Sequence, residues 1–130
     1  MFTVGDTYQE TFITDALTYE GFIDLFKDKN PLHTDAQFAR SKSFKDRVMH
    51  GNILNGYISY FIGECLPSKD VVIHSQEIKY HAPVYLNDEL SLHATVSEIY
   101  DSVNAVVFKY RFLDVEKKVI AKGTFQIGLI

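Results

Sequence analysis

The stretch ILNGYISYFIGECL, residues 53–66, decides the fold. Ile53, Leu54, Tyr57, Ile58, Phe61, Ile62, Cys65 and Leu66 recur at helical spacing and make two adjacent columns on one face. Several other positions are small (Gly56, Ser59, Gly63), so this helix can be enclosed on more than one side. LPSKD, residues 66–70, breaks it. Downstream the apolar period drops to that of strands. VVIHSQEIKY (71–80) reads as a strand. Leu90, Leu92, Ala94 and Val96 then alternate with polar residues. The same holds from Val106 to Phe112 and from Val119 to Ile127, with YDSVN and DVEKK as the intervening turns. Upstream, YQETFIT (8–14) reads as a strand. Thr18 is a candidate cap for a helix carrying Tyr19, Phe22, Leu25 and Phe26, which Asn30-Pro31 ends. A short helix is expected over 35–39. One long apolar helix followed by at least four antiparallel strands predicts an α+β fold, a curved antiparallel sheet wrapped around one central helix. Such a sheet leaves an edge, which a two-fold dimer continuing the sheet would cover.

With 130 residues the chain is expected to form a single domain over 1–130. A net charge of -4 without any Lys/Arg cluster argues against nucleic acid and against a membrane surface as partner. The apolar stretches are too short to span a bilayer. MFTVGDTYQE lacks a basic region followed by an apolar core, so no signal peptide is expected. The single cysteine, Cys65, excludes an internal disulfide and fits a reducing, cytoplasmic setting. Its place on the apolar stripe reads as a buried structural thiol rather than a nucleophile.

Two short motifs carry the chemistry. In DKNPLH (28–33), Asp28 and His33 are five apart and would diverge on a continuous helix. Pro31 forces a turn, so both side chains can face one cavity, and Asn30 can fix that turn through local hydrogen bonds. A carboxylate and an imidazole held together can polarise a water or move a proton. An apolar pocket around Asp28 would raise its pKa towards a useful range. The alternative is a plain helix stop, with Thr34 or Asp35 capping the next helix. In MHGN (49–52), a helix start supplies unpaired N–H groups, and Gly51 lets a ligand approach the backbone. That suits a carbonyl oxygen gaining charge as a nucleophile adds. The alternative is an ordinary helix start, with Asn52 as cap and His50 as a partly buried polar residue. His74, His81 and His93 lie in predicted strands, and no metal-ligand spacing appears, so no metal is expected. Tyr57, Tyr60 and Tyr80 are candidates to line an acyl channel, and Pro83 is expected at a strand end or edge.

Together these stretches resemble the MaoC-like hydratases, including (R)-specific enoyl-CoA hydratases. The resemblance runs from about Tyr19 to Ile127 and centres on FKDKNPLHTDAQFARSKSFKDRVMHGNILNGYI, with YHAPVYLNDEL as a later matching segment. It implies a hotdog fold and a homodimer. It implies that Asp28 and His33 activate one water for addition to C3 of a trans-2-enoyl thioester, or run the reverse dehydration. Gly51 N–H would hold the thioester oxygen, with His50 beside it and Asn30 supporting the pair. No cofactor is implied, because CoA or acyl carrier protein enters as part of the substrate. Some members carry a serine shortly after the His-Gly pair. Here Asn55 and Gly56 stand in that neighbourhood and Ser59 comes later, which bears on pocket polarity and chain length. A hotdog thioesterase and a non-catalytic acyl-binding module are the competing readings.

Overall fold

The computed structural model describes residues 1–130. Chain order is β1 (Thr7–Ile13), α1 (Ala16–Phe26), α2 (Pro31–Thr34), α3 (Ala36–Ser41), α4 (Asn52–Tyr60), β2 (Val71–Tyr80), β3 (Glu89–Tyr100), β4 (Ala105–Leu113) and β5 (Val119–Leu129). The strands form one antiparallel five-stranded sheet in the order β1-β3-β4-β5-β2. Helix α4 packs on its inner face. Leu92, Val96, Phe108, Phe112, Phe125 and Ile127 from the sheet meet Ile53, Leu54, Ile58 and Phe61 from the helix in one core. The hotdog arrangement anticipated from the 53–66 pattern is therefore present.

The long helix has two parts. Its α-helical turns end at Tyr60, and Phe61–Cys65 continue as a π-helical turn. Phe61 and Ile62 stay buried through the change, so the apolar columns in the sequence run across the junction.

Three details differ from the sequence reading. Asp15, not Thr18, caps α1, its side chain accepting from Thr18 N–H. Helix α1 also stops earlier than Asn30. Lys27 takes a left-handed conformation (φ 65°) and closes the helix against the Ile23 carbonyl. Pro31 instead begins the one-turn helix α2, with Asn30 as its cap, which suits a residue with no N–H to place. The short helix expected over 35–39 spans Ala36–Ser41 behind an Asp35 cap.

Helices α1 and α4 run antiparallel. The Tyr57 hydroxyl meets Thr14 at one end, and His50 meets Asp28 at the other. That arrangement sets the end of α1 over the start of α4 and creates the site described next.

Candidate active site

The corner 28–33 is built by short-range hydrogen bonds. Asn30 N–H donates to Asp28 Oδ1 (3.1 Å), and Leu32 N–H donates to Asn30 Oδ1 (2.9 Å). The chain turns where a helix would have separated Asp28 from His33. His33 Nε2 then stands 3.7 Å from Asp28 Oδ2. The side chain of Asp28 is half exposed and that of His33 is 15% exposed, so the apolar enclosure envisaged around Asp28 is not formed. His33 Nδ1 lies 2.7 Å from the Val48 carbonyl. A carbonyl only accepts, so Nδ1 carries the proton and Nε2 presents a lone pair towards Asp28 in the neutral ring.

The His33 backbone is braced from behind. Tyr19 O–H donates to the His33 carbonyl (2.5 Å), and Arg47 lies over the Tyr19 ring with Nη1 3.4 Å from its hydroxyl.

His50 is more deeply placed than the sequence suggested. It is 4% exposed and stacks on His33 with ring centroids 3.9 Å apart. Its Nε2–H donates to the Asp28 carbonyl at 2.8 Å, and its Nδ1 is buried without a partner. Burial is the main influence on its pKa, which falls below that of an ordinary histidine, and the neighbouring His33 lowers it further. His50 thus ties the Asp28 turn to the start of α4. Asp28, His33 and His50 each bring one ligand-type atom within 4.8 Å of the others, a grouping invisible in sequence spacing. The two rings are only 28° from parallel.

Gly51 precedes α4 and has no side-chain cap. Its N–H is not engaged by any turn, loop or cap hydrogen bond of the chain. Its φ is an ordinary -58°, so space rather than backbone freedom demands glycine. A Cβ there would lie 3.0 Å from the Tyr80 ring. Tyr80, at the end of β2, thus covers Gly51; of the three tyrosines expected to line a channel only Tyr57 lines the cavity, and Tyr60 and Tyr80 do not.

A cavity of about 820 Å³ opens between α1 and α4. Leu17, Phe22, Leu25 and Phe26 form one wall, Ile53, Gly56 and Tyr57 the other, and Asp28 lies at its lip. Tyr57 is fixed by stacking on Phe12 (4.4 Å). Of the sequence-predicted site residues Asp28 alone lines this space, and His33 reaches it through Asp28, 3.7 Å away, while Asn30, His50 and Gly51 lie outside the lining.

Residues 7–125 match the model of the MaoC like domain. The chain belongs to the MaoC-like hydratase family. An (R)-specific enoyl-CoA hydratase of Rhodospirillum rubrum is 31% identical over 78% of this chain and 70% of that protein. A mitochondrial 3-hydroxyacyl-[acyl-carrier-protein] dehydratase of Arabidopsis thaliana is 27% identical over 82% of this chain. The match covers 63% of the plant protein, so the chain spans less than two thirds of that relative. The solved (R)-hydratase from A. caviae involved in PHA biosynthesis superposes with a TM-score of 0.90, covering 99% of this chain and 98% of that one at 24% identity. The relatives' names share one reaction class, and this MaoC-like chain is a hydro-lyase.

The remaining histidines are scattered. His93 in β3 contacts Ser91 and His74 in β2 contacts Gln126, but His81, expected in a strand, is exposed just beyond β2, where the chain leaves the sheet towards Pro83. Pro83 also lies beyond the end of β2. Cys65 contacts Glu10, and burial pushes its thiol pKa up, which suits a structural role. No helix is long and apolar enough to cross a membrane. Sequence reasoning missed Tyr80 as the cover on Gly51 and the Arg47–Tyr19 brace. Neither has a motif, because both partners come from distant elements.

Proposed function

We propose that this chain catalyses (R)-specific addition of water to trans-2-enoyl thioesters, or the reverse dehydration, with Asp28 and His33 sharing one water. The observation that carries this reading is the 3.7 Å gap between Asp28 Oδ2 and His33 Nε2 at the lip of an apolar cavity. The gap is too long for a direct hydrogen bond. It matches a water about 2.8 Å from each group, donating one O–H to the carboxylate and one to the imidazole. The water oxygen is then left free to bond C3. One of its protons passes to the pair, and a proton is delivered to C2, so water is added overall. The free Gly51 N–H at the start of α4 is the proposed donor to the thioester oxygen. Asn30 shapes the corner, and His50 anchors it.

The relatives' names support enoyl-CoA and acyl-carrier-protein thioesters as the substrate class. The reaction calls for no resident cofactor, the carrier being part of the substrate. A homodimer in the cytoplasm is part of the proposal. The free edge of β2, with Val72 and Ile73 more than 40% exposed, is the surface that a second copy would cover.

Absorbance-monitored hydration of crotonyl-CoA tests this reading. Asp28→Asn and His33→Ala are each expected to lose roughly 10²- to 10⁴-fold in kcat while remaining folded. Wild-type-like activity in either variant refutes the water activation, and release of free thiol in place of hydration identifies a thioesterase.

A further inference from the structure

We propose that the cavity between α1 and α4 makes this protein selective for medium-length acyl chains, and that Gly21 and Gly56 are the residues that set this selectivity. The inference rests on the hydratase reading above and extends it to a substrate class.

Glycine is the costliest helix residue short of proline. Here one glycine lies inside α1 and one inside α4, and both line the cavity. Packing within the chain does not explain either. A Cβ built on Gly21 or Gly56 meets nothing within 4 Å. By contrast, a Cβ on Gly51 would press on Tyr80, and one on Gly123 would strike the backbone of β2. The two helical glycines therefore keep a space open rather than relieve a clash.

The space has an apolar character and a direction. Gly21 shares a helical face with Leu17 and Leu25, four residues to either side. Leu17, Leu25 and Phe26 are 82%, 75% and 67% exposed, so three large apolar side chains face water along one groove. One end of the groove holds Asp28, the proposed reacting centre. The other end is Leu17, against Tyr57. An alkyl tail starting at the reacting carbons thus runs along α1 from Phe26 towards Leu17.

The length of that path sets the chain length. Leu17 to Phe26 spans roughly 13–14 Å at the helical rise per residue. A fully extended chain advances about 1.1–1.2 Å per bond. The groove therefore holds about eleven to twelve bonds beyond C3, so enoyl chains of up to about fourteen carbons in total fit, and a four-carbon chain leaves most of it empty. Each methylene buried is worth roughly a factor of four in affinity, so partial filling of an open groove still gives a large preference.

The test compares kcat/KM for trans-2-enoyl-CoAs of four, eight, ten and twelve carbons, in the wild type and in Gly21→Leu and Gly56→Leu. The wild type is expected to favour the eight- and ten-carbon substrates over crotonyl-CoA by about tenfold or more. In each variant the ratio of decenoyl to crotonyl activity is expected to fall at least about tenfold. Robust crotonyl hydration with no gain at longer chains overturns this inference alone, and the wild-type profile decides this even if a variant misfolds. Absence of hydration at every length refutes the parent reading instead. An unchanged ratio in the variants, with altered sedimentation, assigns the groove to a second copy and overturns the proposal.

Discussion

At the scale of single residues, the site depends on which groups are free and which are committed. His33 commits Nδ1 to the Val48 carbonyl, so Nε2 alone faces Asp28. His50 commits Nε2 to the Asp28 carbonyl and keeps Nδ1 buried and unpartnered. This makes His50 a pH-sensitive support. Its folded-state pKa is depressed, chiefly by burial. Below the unfolded value of about 6.5, the unfolded chain takes up a proton here that the folded chain refuses. Stability at this residue is therefore full above about pH 6.5 and is lost as the pH falls below it. The urea midpoint of the wild type is expected to drop between pH 7.5 and pH 5.5, and less so in His50→Gln. An equal drop in both proteins would remove His50 from this role. The identities of Asp28, Asn30 and His33 were legible in the sequence because a proline-bent corner brings them together locally. The commitments of their atoms were not, since Val48, Tyr19 and Arg47 reach the corner from other parts of the chain.

At the scale of elements, the periodicity of 53–66 located the central helix, and alternation located the strands. The bounds of β2 agree with the sequence reading at both ends. The end of α1 was misplaced because a left-handed lysine has no reliable sequence mark, whereas Asn-Pro is a conspicuous one. The break at Lys27 has a use. It leaves Asp28 outside both helices, in a turn that can face the cavity. Strand pairing order was not legible either, because β2 crosses to the far edge to pair with β5. That pairing relies on Gly123, where a Cβ would lie 1.9 Å from the Glu77 carbonyl oxygen and 2.8 Å from the Tyr110 hydroxyl. The Tyr110 hydroxyl itself donates to the Glu77 carbonyl at 2.8 Å. Gly123→Ala is therefore expected to cost more than about 2 kcal/mol by denaturant unfolding. A loss below about 0.5 kcal/mol would show that β2 and β5 separate easily.

At the scale of the whole molecule, the sheet wraps one face of α4 and leaves α1 free to wall a groove with the other. The fold thus places an apolar channel and a polar corner side by side, which an enoyl thioester requires at once. The curved sheet was foreseeable from helix and strand patterns. The groove was not, because it depends on how far two helices stand apart and on two glycines that look, in sequence, like ordinary helix defects. The central claim is that Asp28 and His33 act on one water rather than independently. A double-mutant cycle on crotonyl-CoA hydration tests it most directly, using Asp28→Asn, His33→Ala and the double variant. Groups that act as a unit give non-additive losses. The account predicts that the double variant is no more than about threefold slower than the worse single variant. Losses that multiply across the two positions would contradict it.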